Sequence, residues 1–148
     1  MQIVRAGIQD LETLTALFED YRVFYRQPTN WEGSRKFLAE RIGGNESTIY
    51  LALDEQDKGI GFTQLYPLFS STRIGRLWLL NDLFVKPAHR GRGISILLIE
   101  RAKKLARETK ALGIILETEK TNKIGNQLYP RADFILEDDT NHYFWKNE

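Results

Sequence analysis

Residues 85–95 read VKPAHRGRGIS and join an apolar strand to a long helix. The turn between them presents backbone N–H groups at the positive end of the helix, and Gly91 and Gly93 let the backbone approach an anion closely. Arg90 and Arg92 add charge that suits a pyrophosphate. The stretch therefore predicts a phosphate-binding turn, and a turn that only connects the strand to the helix stays open as the alternative.

Two other phosphate-binding motifs are excluded by their spacing. The dinucleotide-binding fingerprint needs G-x-G-x-x-G, but Gly91-Arg92-Gly93 is followed by Ile94-Ser95-Ile96. The sequence also contains no G-x-x-x-x-G-K-S/T motif. These observations argue against a nicotinamide-dinucleotide site and against a P-loop. Binding of another nucleotide phosphate at the same turn remains an alternative.

Hydrophobic periodicity predicts a mixed α/β order on both sides of this turn. The predicted strands are residues 3–5, 48–53, 60–66, 76–85, 113–118, 134–136 and 143–145, and the predicted helices are residues 11–25 with Asp10 as cap, 34–42, 93–110 and 122–129. One parallel crossover joins the strands at 76–85 and 113–118, because a helix separates them. The predicted order is β-α-α-β-β-β-α-β-α-β-β.

The composition of the 148 residues, 42% hydrophobic and 28% charged, is typical of a single globular domain, here expected over residues 1–148. The formal net charge of +1 gives no field that would recruit nucleic acid or an anionic membrane. Cysteine is absent, no apolar stretch has the length of a membrane span, and the N-terminus lacks a signal-peptide pattern, so we expect a cytoplasmic protein. His89 and His142 have no second ligand at a metal-binding spacing, so we expect no metal.

Three segments, taken in order, carry a family resemblance. Residues 90–95, RGRGIS, fit the pattern (R/Q)-x-x-G-x-(G/A) except that Ser95 replaces the usual Gly or Ala. Residues 81–85, NDLFV, precede them as a strand, and Asn122 with Leu128-Tyr129 fits a later N-x-x-A-x-x-L-Y helix in which Gly125 replaces the alanine. In this order the segments resemble the pyrophosphate loop and its neighbours in the GNAT superfamily of acetyl-CoA-dependent N-acetyltransferases.

The resemblance implies a fold and a co-substrate. The fold is a mixed, mostly antiparallel central sheet with splayed middle strands flanked by helices, and the co-substrate is acetyl-CoA. Backbone groups of Leu83, Phe84 and Val85 are then expected to meet the pantetheine arm, which Asn122 helps to hold. The residues expected to wrap the pyrophosphate are Arg90, Gly91, Arg92, Gly93, Ile94 and Ser95.

The resemblance also suggests catalytic residues. Tyr129 resembles the tyrosine that protonates the leaving thiolate, and a phenol with an unperturbed pKa of about 10 is protonated at neutral pH. Packing in the core is the alternative role for Tyr129. The general base stays open between Asp82, Glu117 and an ordered water chain. Asn81 stands where some polyamine-acetylating relatives carry Glu, and an asparagine cannot accept the proton.

The acceptor side is predicted from the first helix. Phe24 and Tyr25 resemble a motif of the branch that includes histone-like, polyamine and amino-acid acetyltransferases, and their rings could hold a cationic amine unless they are core residues. Asn81 and Glu117 are expected beside them. We expect a small primary amine such as a polyamine or amino acid. A protein lysine or N-terminal amine is the second class of acceptor, and a non-catalytic acyl-CoA-binding regulatory module is the alternative to an enzyme.

The two apolar C-terminal strands at 134–136 and 143–145 are predicted near a sheet edge. Such edges are often covered by a second subunit, so we expect a homodimer.

Overall fold

The computed structural model describes all 148 residues, which fold into two compact units, residues 1–117 and 118–148. The strands are β1 (Gln2–Arg5), β2 (Thr48–Leu53), β3 (Gly59–Ser70), β4 (Gly75–Val85) and β5 (Gly113–Ile115), and the helices are α1 (Leu11–Phe24), α2 (Trp31–Gly43), α3 (Ile94–Glu108) and α4 (Lys123–Arg131). Only α4 belongs to the C-terminal unit. No helix is long and apolar enough to cross a membrane. The single domain expected over residues 1–148 stays a prediction.

The five strands form one sheet in the order β1-β2-β3-β4-β5. The first three pairings are antiparallel, whereas β4 and β5 are parallel and pair only between 77–79 and 113–115. The mixed α/β fold and its mostly antiparallel sheet are therefore confirmed. Residues 80–85 of β4 continue without a partner on the β5 side, so β4 and the edge strand β5 are paired at one end of β4 only.

The two faces of the sheet are covered by different helices. Leucines of α1 and α2 pack on one face with apolar residues of β2, β3 and β4; this core contains Leu11, Leu14, Leu17, Leu38, Ile49, Leu51, Phe62 and Phe84. Helix α3 lies on the other face, where the guanidinium of Arg101 is 4.6 Å from the ring centroid of Tyr50. The alternation of side chains along β2, with Ile49 and Leu51 on one face and Tyr50 on the other, accounts for this division.

A bulge in β4 changes which side chains reach the α1 face. Gln64 of β3 pairs with Asp82 and the next residue, Leu65, pairs with Leu80, so Asn81 is an extra residue on β4. Because an extra residue reverses the alternation, Asp82 lies on the same face as Phe84, opposite to Leu80. The bulge thus places a carboxyl group under α1.

The strands predicted at 134–136 and 143–145 are wrong, because no strand follows β5. Apart from the half-buried Phe134, their side chains are exposed, with Ile135 at 88% and Trp145 at 81%. Each run has only three apolar residues, and a strand forms only where a neighbouring strand accepts its backbone hydrogen bonds, which apolar composition cannot reveal. Strand β5 ends at Ile115 instead of at residue 118, because its pairing with β4 ends at Ile115.

Helix starts and ends differ from prediction by a few residues. Helix α2 begins at Trp31 instead of residue 34, because the Asn30 side chain caps it by accepting a 3.0 Å bond from Gly33 N. Asp10 does precede α1, but its carboxylate accepts a 2.9 Å bond from Gly7 N in the preceding 3-10 turn instead of capping the helix. Helix α4 runs past Pro130 to Arg131, two residues beyond the predicted end at residue 129.

Candidate functional site

The glycine turn after β4 has the geometry of an anion cradle. Gly91 and Gly93 have φ angles of 74° and 76°, a left-handed region that other residues avoid. A Cβ on either glycine would meet no atom within 4 Å, so the space beside the backbone is open. No side chain caps the N-terminus of α3 at Gly93, and its first N–H groups are free to face an anion. The turn fits a pyrophosphate by shape and by charge.

The two arginines of the turn differ in how firmly they are held. Arg90 Nε donates a 2.9 Å hydrogen bond to Val85 O, and its guanidinium lies 5.2 Å from the ring centroid of Phe24 and 5.7 Å from that of Phe84. Arg92 is exposed and forms no ion pair. Arg90 therefore joins the turn to β4 and α1, while Arg92 remains available for a phosphate.

The free edge of β4 lies directly before this turn. Phe84 and Val85 are buried and Leu83 is half-buried, and none of the three pairs with β5. Backbone groups on this side have no strand partner, which an extended chain such as pantetheine could supply. The carbonyl of Val85 is already bonded to Arg90, so its N–H is the group left for such an arm.

Asp82 lies in a buried polar network under α1. It is 3% exposed; its Oδ2 accepts a 2.7 Å bond from Gln64 Nε2 and its Oδ1 accepts a 3.1 Å bond from Asn81 Nδ2. The hydroxyl of Tyr21 also bonds to this carboxyl group. Burial raises the pKa of Asp82, and the bonds from Gln64, Tyr21 and Asn81 offset only part of that rise. Such a carboxylate is a better base than an exposed one, but it has almost no surface of its own.

Aromatic rings of α1 connect this network to the glycine turn. Tyr21 packs edge-to-face against Phe62 at 5.8 Å and against Tyr25 at 5.0 Å. Tyr25 packs in turn against Phe24, with the two ring centroids 5.2 Å apart. The guanidinium of Arg90 lies over the Phe24 ring. Phe24 is 48% exposed, so it is not a core residue. Within the N-terminal unit, the predicted acceptor residues Phe24 and Tyr25 thus lie beside the predicted cofactor loop.

The remaining predicted residues lie elsewhere in the chain. Asn122 caps α4, because its Oδ1 accepts a 3.0 Å bond from Gly125 N and its Nδ2 donates a 2.9 Å bond to Thr118 Oγ1. Tyr129 follows it seven residues later, on the same side of α4, and its ring packs edge-to-face on Phe134 at 5.9 Å. Glu117 is exposed at the end of the N-terminal unit.

One residue of the buried network, Gln64, has no functional role assigned from the sequence. Gln64 is fully buried in β3, and its Oε1 has no hydrogen-bond partner. A polar residue inside an otherwise apolar strand is the signal that marks it. The structure brings together no group of three His, Asp or Glu side chains able to hold a metal ion.

Comparisons with known proteins point to one family. Residues 13–134 match the family model described as "Acetyltransferase (GNAT) family". The chain is 40% identical over 145 residues to "Uncharacterized N-acetyltransferase YhfO" of Bacillus subtilis (strain 168), covering 97% of this chain and 95% of that protein. It is 37% identical over 117 residues to a "Probable acetyltransferase" of Haemophilus influenzae, covering 79% of this chain and 80% of that protein. A solved structure, "Crystal structure of a probable acetyltransferase", superposes with a TM-score of 0.94 at 39% identity, covering 100% of this chain and 99% of that one.

Proposed function

Because the chain belongs to the GNAT family of acetyltransferases, we propose that it transfers the acetyl group of acetyl-CoA directly to a primary amine of a small molecule. The observation that carries this proposal is the glycine turn. Two left-handed glycines, the uncapped start of α3 and the free edge of β4 stand next to one another in the N-terminal unit.

The turn and the strand edge divide the binding of acetyl-CoA between them. The N–H groups from Arg90 to Ser95 and the guanidinium of Arg92 bind the pyrophosphate, which the helix dipole of α3 further stabilises. The pantetheine arm bonds to the backbone of Leu83 and to Val85 N–H. Asn122 helps to hold the arm through the Nδ2 hydrogen that is not donated to Thr118 Oγ1. Bound acetyl-CoA supplies an activated thioester carbonyl.

Transfer requires two bond changes and two proton transfers. The amine nitrogen forms a bond to the acetyl carbon, the carbon–sulfur bond breaks, and the nitrogen loses a proton while the thiolate gains one. We assign the last step to the hydroxyl of Tyr129, in keeping with its place in the N-x-x-A-x-x-L-Y helix. Its position on the same side of α4 as Asn122 supports a shared role.

For the first proton, burial decides between the candidate bases. At 3% exposure Asp82 cannot touch the amine, so it acts through Tyr21, which is only partly buried and whose hydroxyl bonds to the carboxyl group. Tyr21 passes its proton to the carboxylate as it takes one from the ammonium form of the acceptor. Tyr21 is then the group that contacts the acceptor, and the Asp82 carboxylate is the final proton acceptor. Glu117, exposed at the end of the N-terminal unit, is the alternative that acts through water.

The acceptor is a cation before it reacts, and the aromatic rings of α1 suit a cation. Phe24 already carries the guanidinium of Arg90 at 5.2 Å, which shows that its ring face accepts positive charge. Tyr25 stands beside it and Asn81, exposed at the bulge, offers a polar contact. A small amine such as a polyamine or amino acid fits this surface. We also propose that the enzyme acts in the cytoplasm as a homodimer.

The Tyr129→Phe variant separates catalysis from binding. We expect amine-dependent release of coenzyme A to slow by about 10²-fold, because a general acid contributes factors of that order, with acetyl-CoA affinity in calorimetry unchanged. Tyr143→Phe, which removes a hydroxyl from a side chain that is 92% exposed, is the matched control and should transfer normally. Unchanged transfer by Tyr129→Phe would remove Tyr129 from its role. Acetyl-CoA binding without transfer to any amine would favour the regulatory module.

A further inference from the structure

A cleft of about 330 Å³, here called the arginine cleft, lies on the α3 face of the sheet. Its lining includes Arg5, Ser47, Phe69, Arg76, Trp78 and Thr109. Thr109 directly follows the C-terminus of α3, whereas the glycine turn lies at the N-terminus. A helix of 15 residues is about 22 Å long, so the arginine cleft is separate from the proposed acetyl-CoA site.

The arginine cleft is positively charged and contains no compensating carboxylate. No Asp or Glu lines it, and the guanidinium groups of Arg5 and Arg76 form neither an ion pair nor a hydrogen bond within the chain. The nearest acidic residue on α3, Glu108, is already shared between Lys104 at 3.8 Å and Arg101 at 3.9 Å. Two cations facing one cleft without a counter-charge favour an anionic ligand.

Arg76 is held in place before any ligand arrives. Its guanidinium lies 5.1 Å from the ring centroid of Phe69 and 5.2 Å from that of Trp78. The indole of Trp78 is fixed in turn, because its Nε1 donates a 2.9 Å bond to Thr109 Oγ1. These ring contacts use none of the guanidinium N–H groups in a hydrogen bond, so the N–H groups stay free. These are the groups that bind a carboxylate or phosphate in bidentate fashion.

The lining of the arginine cleft also contains an unpaired hydroxyl group, on Ser47, and an exposed aromatic ring, on Phe69. The hydroxyl oxygen of Ser47 is buried without a hydrogen-bond partner, and such groups in native proteins are normally paired. Phe69 is 75% exposed at the rim of the cleft, which leaves an aromatic face open to a ring. A ligand with a hydrogen-bond acceptor would pair with the Ser47 hydroxyl, and an apolar ring on the same ligand would cover Phe69.

From these contacts we infer that the arginine cleft binds a small organic anion, a carboxylate or a phosphate ester attached to a ring, with Arg76 at the anionic group, Phe69 at the ring, and Arg5 and Ser47 adding positive charge and a hydroxyl donor to the same cleft. The inference stands apart from the proposed acetyl transfer, because it uses no residue of the glycine turn or of the buried network under α1.

The indole N–H of Trp78 reports on this cleft directly. The chain has three tryptophans, so the Trp31→Phe and Trp145→Phe variants assign the Trp78 signal in a ¹H–¹⁵N NMR spectrum. Phenyl phosphate and benzoate are titrated in the presence of saturating coenzyme A, which keeps the glycine turn filled. We expect a saturable shift of the Trp78 signal with at least one of them, the stronger identifying phosphate or carboxylate as the preferred group, and none with uncharged phenol.

Charge-removing variants complete the test. Arg76→Gln and, at the exposed rim, Arg5→Gln should each weaken binding at least tenfold, while Arg73→Gln in the exposed turn between β3 and β4 should bind like the unchanged protein. No saturable shift with either anion would overturn the inference. Equal binding of phenol, or undiminished affinity in Arg5→Gln with a folded spectrum, would overturn it as well.

Discussion

Asp82 is both a buried carboxyl group and the proposed general base. Its carboxyl group is 3% exposed, and burial raises its pKa against the opposing effect of bonds from Gln64, Tyr21 and Asn81. A raised pKa means that the folded protein binds the proton more tightly than the unfolded chain does. Both the stability and the activity of the protein should therefore depend on this proton.

Stability should fall as pH rises through the range in which Asp82 ionises. Between the unfolded pKa of about 3.9 and the raised folded pKa, the folded state holds more protons, so unfolding becomes easier with each increment of pH, by about 1.4 kcal/mol per unit of pKa difference. Asp82→Asn keeps an oxygen for Gln64 and carries no charge. We expect it to be at least as stable as the unchanged protein at pH 7 in urea unfolding, without this part of the pH dependence. A clear loss of stability would show that the buried charge is favourable.

Activity should depend on the same proton in the opposite direction. Transfer needs Asp82 ionised, so kcat/KM should rise with pH through its raised pKa. Tyr21→Phe should lower kcat/KM by about 10²-fold and flatten this limb, because the link between Asp82 and the acceptor is lost. Tyr143→Phe serves again as the control. If Tyr21→Phe keeps the pH limb unchanged, Asp82 does not act through Tyr21.

At the scale of single elements, the glycine turn and the start of α4 place the functional groups. The turn relies on backbone conformation, with Gly91 and Gly93 at positive φ. The start of α4 relies on one side chain, Asn122, whose amide is bonded at both ends. Backbone and side-chain dependence predict different responses to substitution.

Gly93→Ala should cost stability and cofactor binding together. An alanine at φ 76° is strained by about 1–2 kcal/mol, and its methyl group enters the space proposed for the pyrophosphate. Gly43→Ala in the last turn of α2 is the control, since its Cβ meets nothing within 4 Å and helix propensity predicts a gain of about 0.5–1 kcal/mol. Thermal unfolding with and without acetyl-CoA measures both effects. Full stabilisation of Gly93→Ala by acetyl-CoA would place the pyrophosphate elsewhere.

Asn122 variants distinguish a capping residue from a cofactor ligand. Asn122→Ala should destabilise the protein by about 1 kcal/mol through loss of the cap, while Asn122→Asp keeps the oxygen that accepts from Gly125 N and should fold normally. If the amide also holds the pantetheine arm, Asn122→Asp will bind acetyl-CoA more weakly in calorimetry. Unchanged affinity would leave Asn122 as a cap only.

For the whole molecule, local patterns predicted the architecture better than they predicted long-range pairing. The VKPAHRGRGIS stretch and the hydrophobic periods predicted the five strands of the sheet, the parallel crossover and all four helices within a few residues. The bulge at Asn81 could not be predicted, because it depends on the register of β3 against β4. The network of Tyr21, Gln64 and Asp82 depends on that register in turn. The strands predicted at 134–136 and 143–145 are wrong because strand formation also depends on long-range pairing, which a local pattern does not contain.

The C-terminal residues also bear on assembly. Tyr143, Phe144 and Trp145 are each more than four-fifths exposed, which is unusual for large apolar side chains in a monomer. We expect analytical ultracentrifugation to show a homodimer, and the paired change Phe144→Glu with Trp145→Glu to shift it toward monomer with acetyl-CoA binding retained. A monomer at high protein concentration would refute the homodimer.

Acetyl transfer to a small amine releases coenzyme A from acetyl-CoA, and this release is the first quantity to measure. A thiol reagent follows it without interference, since the chain has no cysteine. Pools of polyamines, amino acids, aminoglycosides and lysine peptides are compared with a no-amine control. We expect amine-dependent release of coenzyme A in a small-molecule pool. Release with lysine peptides alone, or with no pool at all while acetyl-CoA still raises the unfolding temperature, would contradict it.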